Sequence, residues 1–87
     1  PWTAIQVYRA SSPPAASAAS STPLELTGCP DPNSPGTGDE ATLMTAMRVK
    51  AAQLRADAVI NFSCEKATAS GAGCLVCRGD LVTFATP

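Results

Sequence analysis

The sequence contains no histidine and few aromatic residues, with one Trp, one Tyr and two Phe among 87 residues. Without His, the chain lacks the base that usually activates a nucleophilic Cys. Asp57 and Glu65 are isolated carboxylates without an evident acid–base partner. No Gly-rich loop joins a predicted strand to a helix, so a phosphate cradle is not expected. The sequence therefore predicts no catalytic residue, no cofactor and no metal ligand, and we expect a protein that is not an enzyme.

Charge and long apolar runs are also scarce. The net charge is −1, so no strong field would attract nucleic acid or a membrane surface. No run of about 18 apolar residues is present, which excludes a predicted membrane-spanning helix. The sequence starts at Pro1 without a signal peptide or a lipid-attachment Cys, and we expect a targeting segment to be missing from it.

Large apolar side chains are few, although 45% of the residues are hydrophobic. Ala accounts for 16 of these residues, while Leu, Ile, Val and Phe together number 15. A core this thin usually needs covalent cross-links, and the four Cys provide them in an oxidising compartment. We predict one disulfide-stapled, soluble, extracytoplasmic domain over residues 1–87.

Two alternating segments precede the helix and predict half-buried strands. They cover Trp2–Arg9, in which Ile5 and Val7 share a face, and residues 23–29, in which Leu24 and Leu26 point inward. Pro23 suits the first position of a strand, and Gly28 suits a bulge or a stop. Residues 10–22 and 30–37 read as flexible loops, the first with at most a turn or two of helix. Trp2 and Tyr8 are the candidates for a binding hot spot, but packing is the favoured interpretation of both.

A helix is predicted from a capping box at Thr37-Gly38-Asp39-Glu40. Its apolar stripe, with Met44 at the margin, would contain five residues: Leu43, Met47, Ala51, Leu54 and Ala58. The Met residues are expected to fill the core rather than to bind metal. Three basic residues could form a docking patch, although a solvated face is favoured: Arg48, Lys50 and Arg55.

The chain after the helix predicts two more strands. Asp57 tolerates the left-handed conformation that often ends a helix. Residues 59–64 then place Ile60, Phe62 and Cys64 on one face, and residues 80–85 place Val82 beside Phe84. The expected fold is α+β, with one main helix packed on a small, mainly antiparallel sheet of about four strands in the order β-β-α-β-β.

Four cysteines allow three connectivities. If the last two strands pair antiparallel, Cys64 and Cys77 come within disulfide range, which leaves Cys29 to pair with Cys74. Alternatively, Cys74-Leu75-Val76-Cys77 is a redox motif, although such motifs normally begin a helix and this one precedes a strand. A zinc site is less favoured, because four-Cys structural sites usually contain two CxxC pairs.

Three motifs stand together in the second half of the chain: MRVKAAQLRADAVINFSCE, then GAGC, then a further Cys before the last strand. Together with IQVY and LELTGC nearer the start, they resemble the Rcs stress-sensing outer-membrane lipoprotein family (RcsF-like). The resemblance covers most of the chain, although residues 13–22 and 30–36 do not match. All four Cys fall on the family's four, and its interleaved bridges would join Cys29 to Cys74 and Cys64 to Cys77. Two residues separate Cys74 from Cys77, fewer than in the family.

The resemblance implies a lipoprotein domain, tethered to the outer membrane, that monitors the envelope from the periplasm. In that family, envelope damage changes how outer-membrane β-barrel proteins and the barrel-assembly machinery hold the domain. The freed domain then contacts an inner-membrane regulator of the Rcs phosphorelay. We therefore expect these partners, membrane attachment only through a lipid anchor, no nucleic acid and a monomer.

Two other classes of function stay open. A periplasmic thiol–disulfide oxidoreductase would use Cys74 and Cys77. The helix-to-ADAV junction is also shared by a heavy-metal-binding-like family whose small βα domains form rings, which would indicate a ring-forming binder of a small ligand or metal.

Overall fold

A computed structural model describes residues 1–34 and 38–85, which form one α-helix and a four-stranded sheet. Short 3-10 helices lie at Trp2–Ala4 and Thr68–Ser70. The main elements are β1 Gln6–Arg9, β2 Ala18–Gly28, α1 Glu40–Gln53, β3 Ala58–Lys66 and β4 Leu75–Phe84. The predicted α+β class and the order β-β-α-β-β are confirmed. Within the two described ranges, no helix is long and apolar enough to cross a membrane.

The sheet has the strand order β1-β3-β4-β2. β3 and β4 form its antiparallel centre, β2 pairs antiparallel with β4 at one edge, and β1 pairs parallel with β3 at the other. The sheet is therefore mainly antiparallel, as predicted. The parallel pair arises because β2 and α1 both lie between β1 and β3 in the chain, which gives the connection enough length to cross over.

Strand β2 is longer than the sequence indicates. It begins at Ala18, so the prediction of a loop over residues 10–22 is wrong for residues 18–22. Pro23 lies within the strand, opposite Asp80, rather than at its first position. This placement is tolerated because β2 is an edge strand, where a missing N–H can face solvent. The uncharged Ala–Ser segment carries no strand signal of its own, and pairing with β4 imposes its extended conformation.

The first strand is shorter than the alternating pattern suggests. Trp2–Ala4 forms a 3-10 turn, and the strand starts at Gln6. The guanidinium of Arg48 donates to the backbone carbonyls of Thr3 and Ile5, both at 2.9 Å. These two carbonyls therefore accept hydrogen bonds from the side chain of Arg48 on α1. Ile5 is nevertheless buried, as its predicted face requires.

The helix is capped by Asp39 rather than by Thr37, which lies outside the described residues. The Asp39 carboxylate accepts a hydrogen bond of 2.7 Å from the backbone N–H of Thr42. Glu40 is then the first residue of the helix and not the third, so the predicted capping box is wrong. Asp and Thr are both good N-cap residues, and the sequence pattern alone does not choose between two starts so close together.

The helix ends in a Schellman motif. The backbone N–H of Arg55 donates to the Ala52 carbonyl at 3.1 Å, and that of Ala56 donates to the Ala51 carbonyl at 2.9 Å. Arg55, with φ 60°, is the left-handed residue, so the prediction of Asp57 is wrong. The carboxylate of Asp57 instead accepts from the Phe84 N–H at 2.8 Å and ties the junction to β4.

The helix contributes three buried residues to the core, Leu43, Met47 and Ala51. The predicted stripe is wrong for Leu54 and Ala58. Leu54 is 55% exposed because the helix ends before it, and Ala58 begins β3. The apolar stripe of the helix therefore ends at Ala51, about two turns earlier than predicted.

Strand β3 contains a bulge that changes which residues reach the core. Asn61 has φ 55°, and the pairing with β4 shifts register between Ile60 and Ser63. Val59 and Phe62 therefore both join the core below the helix, whereas Ile60 does not. The predicted face of Ile60 with Phe62 and Cys64 is wrong for Ile60, because a bulge adds one residue to the period of two.

The core lies between α1 and one face of the sheet. Met47 is fully buried against Gly79, where an added Cβ would lie 2.8 Å from the Met47 sulfur. This close approach supports the interpretation of Met47 as a core residue. The buried cluster consists of Ile5, Leu43, Met47, Ala51, Val59, Phe62, Cys77 and Leu81.

Candidate functional site: the disulfide-bridged end of the sheet

The bridge between Cys64 and Cys77 links the two central strands. The two residues are direct partners in the register of β3 and β4, and their Cα atoms are 4.0 Å apart. Cys77 is fully buried in the core cluster, and Cys64 is half-buried at its margin. The antiparallel pairing of the last two strands therefore produces this bridge, as predicted.

The bridge between Cys29 and Cys74 links an edge strand to the same end of the sheet. Gly28, the last residue of β2, pairs with Leu75, the first residue of β4. Cys29 follows the one and Cys74 precedes the other, so the two Cys meet, with their Cα atoms 4.1 Å apart. Both predicted bridges are present, and none of the four cysteines is free.

The two Cys of the CxxC sequence are not bridged to each other. Cys74 and Cys77 belong to different bridges. Cys74 immediately precedes β4 and Cys77 lies within it, so neither is at a helix N-terminus. This pairing does not favour a redox dithiol of Cys74 with Cys77, because each sulfur is already bonded elsewhere. In residues 1–34 and 38–85, no group of three or more His, Cys, Asp or Glu side chains could hold a metal ion.

A charged row crosses three strands on the sheet face opposite the helix. Arg78 on β4 donates to Glu25 on β2 at 2.8 Å and to Glu65 on β3. The hydrogen bond to Glu65, followed by that to Glu25, raises the pKa of the Arg78 guanidinium. About half of each side chain is exposed, so water screens the row and limits its contribution to stability. Sequence reasoning missed this row because it depends on strand register.

One cavity lies beside the charged row and another beside the Cys29–Cys74 bridge. The first, of about 280 Å³, lies beside the charged row, and its lining includes Glu25, Arg78 and the neighbouring Asp80. Asn61 donates to the Asp80 carboxylate there at 3.0 Å. The other, of about 290 Å³, borders the Cys29–Cys74 bridge and is lined by Lys66, Thr68, Gly73, Cys74 and Leu75.

The basic residues of the helix have different environments. Arg48 lies 5.3 Å from the centre of the Trp2 ring while it bonds to the N-terminal turn, so it is a packing residue. Lys50 and Arg55 are exposed, which fits the predicted solvated face. Trp2 is 37% exposed, and its ring lies against the Arg48 guanidinium. Tyr8 is half-buried, so both aromatic residues contribute to packing.

Comparison of the chain with family models, with curated proteins and with solved structures finds no match. The established features of this protein are therefore its α+β fold and its two bridges.

Proposed function

We propose that this chain is the periplasm-facing domain of an outer-membrane lipoprotein that senses envelope stress and signals to the Rcs phosphorelay through protein–protein contacts. The observation that carries the proposal is the interleaved pairing of Cys29 with Cys74 and of Cys64 with Cys77. The same pairing is what the resemblance to the Rcs lipoprotein family implies.

The bridges also suit the physical demands of such a role. On the loop-entropy model, bridges that close loops of this length contribute roughly 3 and 4 kcal/mol. The free energy of unfolding of a small domain is about 5–15 kcal/mol, so two bridges are a large share of it. A rigid module of this kind transmits a signal by being held or released, without a chemical step. Disulfides persist in oxidising compartments, which supports a place in the periplasm.

The proposed partners follow from the same resemblance. Outer-membrane β-barrel proteins and the barrel-assembly machinery would hold the domain in the unstressed cell, and an inner-membrane Rcs regulator would bind it under stress. The domain would act as a monomer, attached to the membrane by a lipid anchor.

Crosslinking and pull-down of the full-length lipoprotein from envelope extracts test this proposal. We expect an outer-membrane barrel protein to be recovered from unstressed cells, and the inner-membrane regulator to increase after envelope damage. A variant with all four Cys replaced by Ser controls for nonspecific capture by an unfolded chain. Recovery of neither class of protein by the oxidised domain would contradict the proposal.

A further inference from the structure

The two disulfides differ in their exposure to solvent. Cys29 is an exposed residue, whereas its partner Cys74 is 3% exposed. In the other bridge, Cys77 is fully buried and Cys64 is half-buried. Cys29 is thus the exposed residue among the four Cys, and we expect a thiol in solvent to react at its sulfur first.

Two neighbours of Cys29 define its surroundings, Gly38 beside its backbone and Ser70 beside its sulfur. Gly38 packs against its backbone so closely that a Cβ there would lie 2.6 Å from the Cys29 carbonyl carbon. The Cys29 sulfur lies 3.8 Å from the Ser70 carbonyl oxygen. This is a contact and not a hydrogen bond, because a bridged sulfur carries no hydrogen. The backbone of Cys29 is therefore shielded on one side, although the residue as a whole is exposed.

The cavity of about 290 Å³ beside this bridge is a second, independent observation. Its lining includes Cys74 itself and the exposed residue Lys66. A nearby ammonium group lowers the pKa of a thiol and stabilises its thiolate. Lys66 shares this cavity with Cys74, so we expect its ammonium group to favour release of the Cys74 sulfur as a thiolate.

We propose that the Cys29–Cys74 bridge is a thiol–disulfide exchange site for a dithiol reductant, whereas Cys64–Cys77 is a permanent structural bridge. A thiolate of the dithiol attacks the Sγ of Cys29, a new S–S bond forms there, and the bond to Cys74 breaks to leave the Cys74 thiolate. The second thiol of the dithiol then displaces the Cys29 thiolate. The dithiol ends as a disulfide, and its two protons end on Cys29 and Cys74.

The Cys64–Cys77 bridge is less accessible to the same reaction, because Cys77 is fully buried and Cys64 is half-buried. Attack on Cys77 requires β3 and β4 to separate, since these Cys are direct partners in the central pairing of the sheet. Such opening approaches global unfolding, whereas exchange at an exposed loop needs little or no opening. Reduction of Cys29–Cys74 would free residues 67–74 from the end of β2 and leave the central strands linked. This inference does not depend on the proposed function.

Limited reduction of the native, full chain tests the exchange site. The oxidised protein is treated with dithiothreitol for increasing times, alkylated, digested and analysed by mass spectrometry. We expect Cys29 and Cys74 to be alkylated at least about tenfold faster than Cys64 and Cys77, because local exposure replaces global unfolding. Circular dichroism should show that the partly reduced protein stays folded. Equal rates for the two bridges, or faster opening of Cys64–Cys77, would overturn the proposal.

Two lysine variants test the part assigned to Lys66. Lys66→Gln should slow the opening of Cys29–Cys74 several-fold, since the leaving thiolate loses a neighbouring cation. Lys50→Gln removes the same charge from the surface of α1 and should leave the rate unchanged. An unchanged rate in Lys66→Gln would overturn the role of this residue.

A second arm of the experiment replaces dithiothreitol with a reduced thioredoxin-type protein. Opening by both reductants indicates a site that accepts a protein dithiol, and opening by dithiothreitol alone indicates a small-thiol site.

Discussion

At the scale of single residues, Gly79 shows how closely the helix approaches the sheet. A Cβ at this position would lie 2.7 Å from a methyl group of Val59 and 2.8 Å from the Met47 sulfur. Both neighbours are fully buried, so neither can move without disturbing the core. We expect Gly79→Ala to lower the free energy of unfolding by about 1–3 kcal/mol, measured by urea denaturation.

Two further variants separate this clash from other effects of the substitution. Ser63→Ala changes an exposed position on β3 and should alter stability by less than about 0.5 kcal/mol. Combining Gly79→Ala with Met47→Ala should cost less than the sum of the two single changes, because the smaller side chain leaves room for the new methyl. Additive costs would contradict a direct clash.

The Asp39 cap makes the stability of the helix start depend on pH. Hydrogen bonds from the Thr42 side chain and from the Thr42 backbone N–H hold the pKa of the Asp39 carboxyl below its ordinary value. The folded chain therefore binds this proton less readily than the unfolded chain does. The cap's contribution is complete above the ordinary Asp pKa of about 3.9 and is lost as the pH falls through the lowered pKa.

Thermal unfolding at a series of pH values checks this effect. Asp39→Asn keeps a good cap residue without the titrating carboxylate, so its melting temperature should fall less steeply than that of the wild type below about pH 4. Asp39→Ala should melt at a lower temperature than either at neutral pH. Identical acid slopes for the wild type and Asp39→Asn would show that another group is responsible.

At the scale of secondary-structure elements, the end of α1 carries a residue that is poorly matched to its conformation. Arg55 occupies the left-handed position of the Schellman motif, which Gly usually fills. A residue with a Cβ is disfavoured there by roughly 1 kcal/mol relative to Gly. We expect Arg55→Gly to raise the free energy of unfolding by about 1 kcal/mol, measured by urea denaturation.

Arg55→Ala is the matched control for this prediction. It removes the same exposed charge but keeps the Cβ, so any gain from the lost charge appears in both variants. Only the difference between Gly and Ala reports on the left-handed backbone. A stability of Arg55→Gly no greater than that of Arg55→Ala would contradict the assignment of strain to this position.

At the scale of the whole molecule, the thin core makes the two bridges a large part of the stability. Removing Cys29–Cys74 with paired Ser substitutions, or Cys64–Cys77 with paired Ala substitutions, should cost roughly 3–4 kcal/mol each. The second pair should cost more than loop entropy alone predicts, since Cys77 is also a core residue. Urea denaturation followed by circular dichroism measures both, and loss of all four Cys should leave no cooperative transition. A fully Cys-free variant that unfolds cooperatively would contradict this account.

Much of this organisation is readable from local patterns. The period of apolar residues predicts the helix around Met47, and alternation around Leu24 and Leu26 predicts a strand. The positions of the four Cys relative to the last two strands predict both bridges. These features depend on residues close in sequence, or on one assumed pairing of strands, so a single chain contains enough information to infer them.

Other features depend on contacts between segments far apart in the chain. The first half of β2 is extended because it pairs with β4, and its Ala–Ser composition carries no signal of this. The bulge at Asn61 moves Val59 into the core in place of Ile60, and the row of Glu25, Arg78 and Glu65 exists only through strand register. The unequal exposure of the two bridges likewise arises from packing, since the four Cys are chemically equivalent in the sequence. The sequence by itself therefore determines most of the elements and, once the last two strands are assumed to pair, which Cys are bridged. Only the tertiary structure decides the register and the face that each residue occupies, because these depend on partners that the local sequence does not specify.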